Sequence, residues 1–351
     1  MSDLAAIVPA RRGFGLPRWS AGLLLGLLLP AALLLSLLIG PVPLKALDVL
    51  QALLLQAPDA RTDAIVWQLR LPRSLMAGLI GAALGIAGAL MQGLFRNPMA
   101  DPSLVGVTGG AGLSAASAIV FAGLLYPAAW QPVMLPSLAF AGGLIVTFLV
   151  HRLSVVEGRT AIAMLLLAGI ALNAISMAGI GMMSFMSDDR QLRDITFWLL
   201  GSVGGASWGK LFVLLPFALL PLLLAPWLAR ALDAFNLGER EAAHLGFPVE
   251  RVKRVACFAV ALAVGGAVAF SGIIGFIGLI VPHLVRLSFG PGHRLLLPYA
   301  GIGGATLLIL ADTVARVVAA PAELPVGLLT ALIGAPFFLA LLLRLRKEIA
   351  L

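Results

Sequence analysis

The sequence predicts an all-α polytopic membrane protein with about ten transmembrane helices, and three observations carry that prediction. Of 351 residues, 61% are apolar and 11% charged, whereas soluble domains run near half apolar and about a quarter charged. The apolar residues gather in runs of about 20, the length a helix needs to cross a bilayer. Short loops between those runs hold most of the Lys and Arg, and they do so unevenly on the two sides. A soluble fold of this composition would expose large apolar patches. Low aromatic content, at 7%, and the lack of alternating polar/apolar strands argue against a transmembrane β-barrel.

The first span reads over 21–39, behind Arg11, Arg12 and Arg18. It is long for the apolar core of a signal peptide, and no clear small-residue cleavage site follows. Residues 1–20 then form a cytoplasmic N-terminal segment, and 21–351 a single membrane domain. Further spans read at 72–94, 103–122, 133–150, 161–185, 208–229, 253–271, 273–290, 295–318 and 325–343. Only Ser271 and Gly272 divide the seventh from the eighth.

With the N-terminus inside, 16 of the 24 Lys and Arg lie on inner loops and ends and 8 lie outside. The acidic residues divide evenly, so the inner side carries the whole net charge of +8. Both termini are therefore read as cytoplasmic. Because the basic residues sit in short loops between apolar runs, they are read as topology signals, and no nucleic-acid partner is implied. Cys257 is the single cysteine, which excludes an intrachain disulfide and a cysteine-cluster metal site.

A weak repeat links the halves, about 21–205 and 206–345. Ala83, Gly88 and Pro98 recur as Ala267, Gly272 and Pro282, each displaced by 184 residues. Five spans per half would insert the halves with opposite orientation, an inverted repeat; chance similarity of two Gly/Ala-rich helices is the alternative.

The most informative segment is Arg70-Leu71-Pro72-Arg73, a helix with Gly78, Gly81, Gly85 and Gly88, then Gln92 and Asn97-Pro98-Met99-Ala100-Asp101-Pro102. Small residues at this spacing let helix backbones approach closely, and the two prolines end the helix in a rigid turn. In the second half stand Leu237-Gly238-Glu239-Arg240-Glu241-Ala242-Ala243-His244-Leu245-Gly246 and Gly275-Phe276-Ile277-Gly278-Leu279-Ile280-Val281-Pro282-His283. Asp312-Thr313-Val314-Ala315-Arg316, Glu323-Leu324-Pro325-Val326-Gly327 and Gly334-Ala335-Pro336-Phe337 follow. Together these motifs resemble the FecCD-type permeases, the membrane subunits of ABC importers for ferric siderophores, heme and cobalamin.

The resemblance implies a homodimeric type II importer in the bacterial inner membrane. Its partners would be two ATP-binding cassette ATPase subunits and a periplasmic substrate-binding protein, with membrane lipid around it. This chain would bind no cofactor; ATP and magnesium would sit in the ATPase. Arg70, Arg73 and Arg316 would dock the binding protein through its acidic residues, against the alternative of snorkelling anchors at helix ends. Asp312, one turn before Arg316, competes for that arginine. Glu239, Arg240, Glu241, Ala242 and Gly246, in the long inner loop 230–252, would couple to the ATPase; the plainer reading is a solvated charge cluster. Asn97 and Met99 would narrow the inner end of the pathway, where an ordinary Asn-Pro helix stop is the alternative. A second constriction would lie near Thr160–Ala163, but Ile162 and Ala163 depart from the small, hydroxyl-rich pattern of the family.

His151, His244, His283 and His293 map to the inner side or to helix ends and show no metal-ligand spacing. Met177, Met182, Met183 and Met186 could line a soft apolar pathway, though core packing is the ordinary use. There is no Gly-x-x-x-x-Gly-Lys-Ser/Thr loop, so the chain is not read as an enzyme. Intramembrane acids are nearly missing, which speaks against an ion-coupled secondary carrier. The expected cargo is heme or a ferric siderophore, with cobalamin as the alternative.

Overall fold

The computed structural model describes residues 18–349; Arg11, Arg12 and most of the N-terminal segment lie outside the described residues. The chain opens with α1 (Arg18–Leu38), a Leu-rich helix whose flank carries exposed Leu23, Leu27 and Leu34. Two short helices, α2 (Ala46–Leu53) and α3 (Ala60–Ala64), follow. Asp59 caps α3, accepting from Thr62 N at 2.7 Å and Thr62 Oγ1 at 2.9 Å; these bonds hold its carboxyl below the usual range. A π-helical turn, Ile65–Arg70, leads without a break into α4 (Leu71–Leu94). Pro72 brings no N–H to the ladder, and the widened turn accommodates that loss.

After the turn at 97–102, a 3₁₀ turn (Pro102–Val105) leads into α5 (Val107–Val120) and the single turn α6 (Ala122–Leu125). A long helix, α7 (Gln131–Ser154), ends in a small antiparallel hairpin, β1 (Val155–Val156) with β2 (Arg159–Thr160). The hairpin is an addition to the all-α expectation. Then come α8 (Ile162–Met186) and the amphipathic α9 (Asp189–Leu200), opened by a capping box of Asp188 and Gln191. The second half holds α10 (Trp208–Phe235), α11 (Glu239–His244), α12 (Val249–Ser271), α13 (Ile277–Phe289), α14 (His293–Val318) and α15 (Val326–Ile349).

Among the described residues, eight helices are long and apolar enough to cross a membrane, while α5 and α13 are shorter apolar helices of 14 and 13 residues. At 1.5 Å per residue α13 spans about 20 Å, short of the ~30 Å hydrocarbon thickness. The spans expected at 103–122 and 273–290 are therefore only partly helical. Each opens on irregular backbone, at 101–106 and 272–276, which is tolerated at membrane depth only when shielded by protein. Gly272 and Ile274 are indeed buried.

Burial separates the helices into two shells. The apolar windows of α4, α12 and α14 are 78%, 72% and 61% buried, whereas no other long helix exceeds 33%. Helix α4 packs most extensively on α14, where a side chain at Gly81 would strike the Gly304 backbone and one at Gly304 would strike Gly81. That reciprocal contact is the close approach expected from small-residue spacing. Gly88 similarly faces Gly278 at the start of α13.

Of the expected pairs of residues 184 apart, Ala83 and Ala267 both lie buried inside helices, α4 and α12. Gly88 lies inside α4 while Gly272 lies just past the end of α12, and Pro98 lies in a turn while Pro282 lies within α13. The segment 230–252 also narrows, since α10 runs on to Phe235 and α12 begins at Val249.

Candidate functional site

Two ionic clusters stand at opposite ends of the helix core. The first gathers Arg70 and Arg73 with Arg316, which lies more than half the chain away in sequence. Helix α4 begins beside the last turns of α14, so Arg73 meets Asp312, itself 1% exposed. Arg73 Nε lies 3.0 Å from Asp312 Oδ2 and Nη2 lies 3.0 Å from Oδ1, a two-point fork. Its remaining nitrogen, Nη1, donates to both oxygens of Glu323 at 2.9 Å. Asp312 also pairs with Arg316 Nε at 3.3 Å, the local i,i+4 contact expected from spacing.

From Arg316 the network continues into α1. Arg316 Nη2 donates to Ser36 Oγ at 2.6 Å, and Ser36 Oγ lies 2.6 Å from Ser74 Oγ. Arg70 uses its guanidinium differently. It donates to the carbonyls of Leu37 at 2.6 Å, Leu38 at 3.0 Å, and Val42. These include the last carbonyls of α1, which lack helical partners and carry partial negative charge. All three arginines are thus buried and engaged within the chain. Glu323, with 44% of its side chain exposed, is the cluster's open member. On the same side of the fold, a cleft of about 370 Å³ between α5, α7, α9 and the end of α12 is lined by Gln131, Asp194, Trp198, Ser202 and Phe270.

The second cluster sits at the start of α12. Lys253, with a side chain 3% exposed, places Nζ 2.7 Å from Glu239 Oε2, 2.8 Å from Thr160 O and 3.3 Å from Glu250 Oε1. Glu250 Oε2 in turn accepts from Thr160 N at 2.8 Å. Lys253 precedes Ser271 by 18 residues, about 27 Å of helix. Ser271 O accepts from Ser202 N at 2.7 Å, and Gly204 two residues on borders Glu323, so the clusters lie at opposite ends.

Of the residues expected to couple, Glu239 is tied down by Lys253 and Ala242 is fully buried, while Arg240, Glu241 and Gly246 are exposed. Leu237 and Leu245 flank α11 at 68% and 62% exposure, so an apolar surface accompanies the charges. Asn97 Oδ1 accepts from Met99 N at 2.9 Å and Asn97 O from Ala100 N at 3.1 Å; the pair forms the turn that ends α4. Thr160, in the segment left open in the sequence, has both backbone groups held by the Lys253 cluster.

His293 Nδ1 lies 2.7 Å from Asp233 Oδ1, and His283 finds no partner for either ring nitrogen among the described residues. Core packing does not hold for three of the methionines: Met177, Met182 and Met186 lie more than half exposed on α8. Sequence reasoning missed Lys253, Ser36 and the part played by Glu323. The i,i+3 spacing of Glu250 and Lys253 was the one local signal available.

A thick helical core, two shorter apolar helices and ionic clusters near its ends fit a multi-pass membrane protein. The chain belongs to the FecCD transport family, whose profile matches residues 28–344. It is 44% identical over 303 residues to the hemin transport system permease protein HmuU of Yersinia pestis, covering 83% of this chain and 87% of that one. To the vitamin B12 import system permease protein BtuC of Vibrio cholerae serotype O1 it is 41% identical over 332 residues, covering 93% and 95%. A solved metal-chelate type ABC transporter in an inward-facing conformation matches with TM-score 0.82 and 34% identity, over 93% of this chain and 99% of that one. The chain is accordingly a non-catalytic, multi-pass permease subunit of a bacterial ABC importer.

Proposed function

We propose that the chain forms a homodimeric, ATP-driven importer of an iron complex, hemin or a ferric siderophore, in the bacterial inner membrane. The single observation that carries the cargo is its 44% identity to a hemin permease over most of both chains. The likeness to the vitamin B12 permease, over 93% of this chain, supports cobalamin as the second reading. In this reading α1, α4, α5, α7 and α8 form one half and α10, α12, α13, α14 and α15 the other. The ten spans are arranged as an inverted pair with both termini cytoplasmic. The lipid-poor dimer face would include α8, whose exposed methionines offer a soft apolar lining.

The Arg73 end faces the periplasm and receives the substrate-binding protein. An acidic residue of that partner would reach Arg73 by displacing Glu323, the open member of the cluster. Charged contacts made at the open edge of such a cluster set orientation and on-rate more than affinity. The Lys253 end faces the cytoplasm, where Arg240, Glu241, Leu237 and Leu245 receive the ATPase, and the Asn97–Met99 turn narrows the pathway. Uptake of labelled hemin, a ferric siderophore and cobalamin, offered separately to cells lacking their own systems, tests the cargo. Uptake of cobalamin alone would overturn the iron reading. Leu237→Asp with Leu245→Asp tests the inner surface; the folded permease should then fail to co-purify with the ATPase.

A further inference from the structure

We infer that Lys253 is a transmission residue: its buried ammonium links the coupling helix α11 to the β1–β2 hairpin that begins α8, so that the two move together. The inference rests on the proposed docking of the ATPase at α11 and names how displacement would leave that site. Three elements meet on one nitrogen. Glu239 is the first residue of α11, Thr160 belongs to β2, and Lys253 with Glu250 belongs to α12. Thr160 is gripped at both backbone groups, its N by Glu250 and its O by Lys253. Its neighbour Ala161 closes the hairpin through Ser154 O at 2.9 Å, and α8 starts at Ile162. No side-chain flexibility intervenes between the ammonium and the backbone entering α8.

On the other side, α11 is a small body bounded by glycines. Gly238 precedes it with φ 131° and Gly246 follows it with φ 87°, conformations that glycine adopts without steric cost. Its surface beyond Glu239 and Ala242 is exposed, so a push on that surface has two fixed points to act through. Ala242 bears on the apolar core, and Glu239 bears on Lys253. A buried ammonium does not give up its acceptors readily, because water is not there to replace them. When α11 tilts, Lys253 must follow Glu239 and carry Thr160 with it, or the cluster must break. An ammonium is a point charge whose three donors pivot, which suits a joint that moves without opening.

The test uses the full chain reconstituted in vesicles with its ATPase and binding protein, with labelled hemin as the probe and cobalamin as the second probe. The readout is cargo moved per ATP hydrolysed, which a purely structural defect in folded protein would leave unchanged. Lys253→Met is expected to lower this ratio about five-fold or more while the ATPase still co-purifies, and Lys253→Arg, which keeps the charge but replaces the pivoting ammonium with a rigid fork, is expected to recover it only in part. Glu239→Gln, which keeps shape and an acceptor, provides a second variant should Lys253→Met fail to fold; it is expected to lower the ratio more mildly. An unchanged ratio in the folded variants overturns the inference, as does loss of ATPase co-purification, which would make Lys253 part of the docking surface. Failure of the underlying reading shows separately, as ATPase binding that survives the Leu237→Asp, Leu245→Asp double variant.

Discussion

The two ionic clusters solve different problems with different cations. At the Arg73 end, planar guanidinium forks grip Asp312 and Glu323 at fixed angles and bind α1, α4 and α14 into one block. At the Lys253 end, a single ammonium gathers three acceptors from three elements, one of them six residues long. Arg presents a rigid pattern of donors and Lys a rotatable point charge. The difference separates an end built to hold its shape from an end built to pivot.

Asp312→Ala should break the rigid end. It leaves Arg73 and Arg316 buried without their shared carboxylate, and removing one partner of a buried pair costs about 3–5 kcal/mol. Thermal unfolding in detergent should show the largest drop of any single change at either cluster. Lys253→Met should cost less, about 1–3 kcal/mol, because Glu239 and Glu250 are each 32% exposed and water can recover them. If that loss equalled the loss at Asp312, the pivoting end would be as rigid as the other. Asn97→Ala removes the bond to Met99 N and should cost about 1 kcal/mol, read by the same melt. Glu323→Gln should change stability by no more than about 1 kcal/mol, since its side chain is 44% exposed. The same variant should speed association of the proposed binding-protein partner, because it removes the open carboxylate that competes for Arg73; unchanged association kinetics would remove Glu323 from the proposed docking step.

Helix existence was legible because each span is a long apolar run, and among the described residues the runs fall on eight long apolar helices and two shorter ones. Helix length was not legible for α5 and α13. Hydropathy counts the apolar residues of 272–276 as span, whereas their backbone leaves the helix and is sheltered by neighbouring segments. Glycine spacing in α4 announced a close helix contact but could not name α14, since the partner is set by tertiary packing. For the clusters, motif residues were found and their use was not. Arg70, Arg73 and Arg316 read as a charged rim because sequence shows position along a span and not burial. Lys253 read as one more inner-loop charge, because its partners Glu239 and Thr160 lie 14 and 93 residues away.

The distance in sequence between Arg73 and its acceptors has a consequence for synthesis. Asp312 follows Arg73 by 239 residues and Glu323 by 250. At roughly 5–20 residues per second, the ribosome needs on the order of 12–50 s to deliver the first of these carboxylates. Throughout that interval Arg73 lacks both of the carboxylates that it pairs with in the folded chain. The seam between α4 and α14 therefore closes late, after most of the chain has already entered the bilayer.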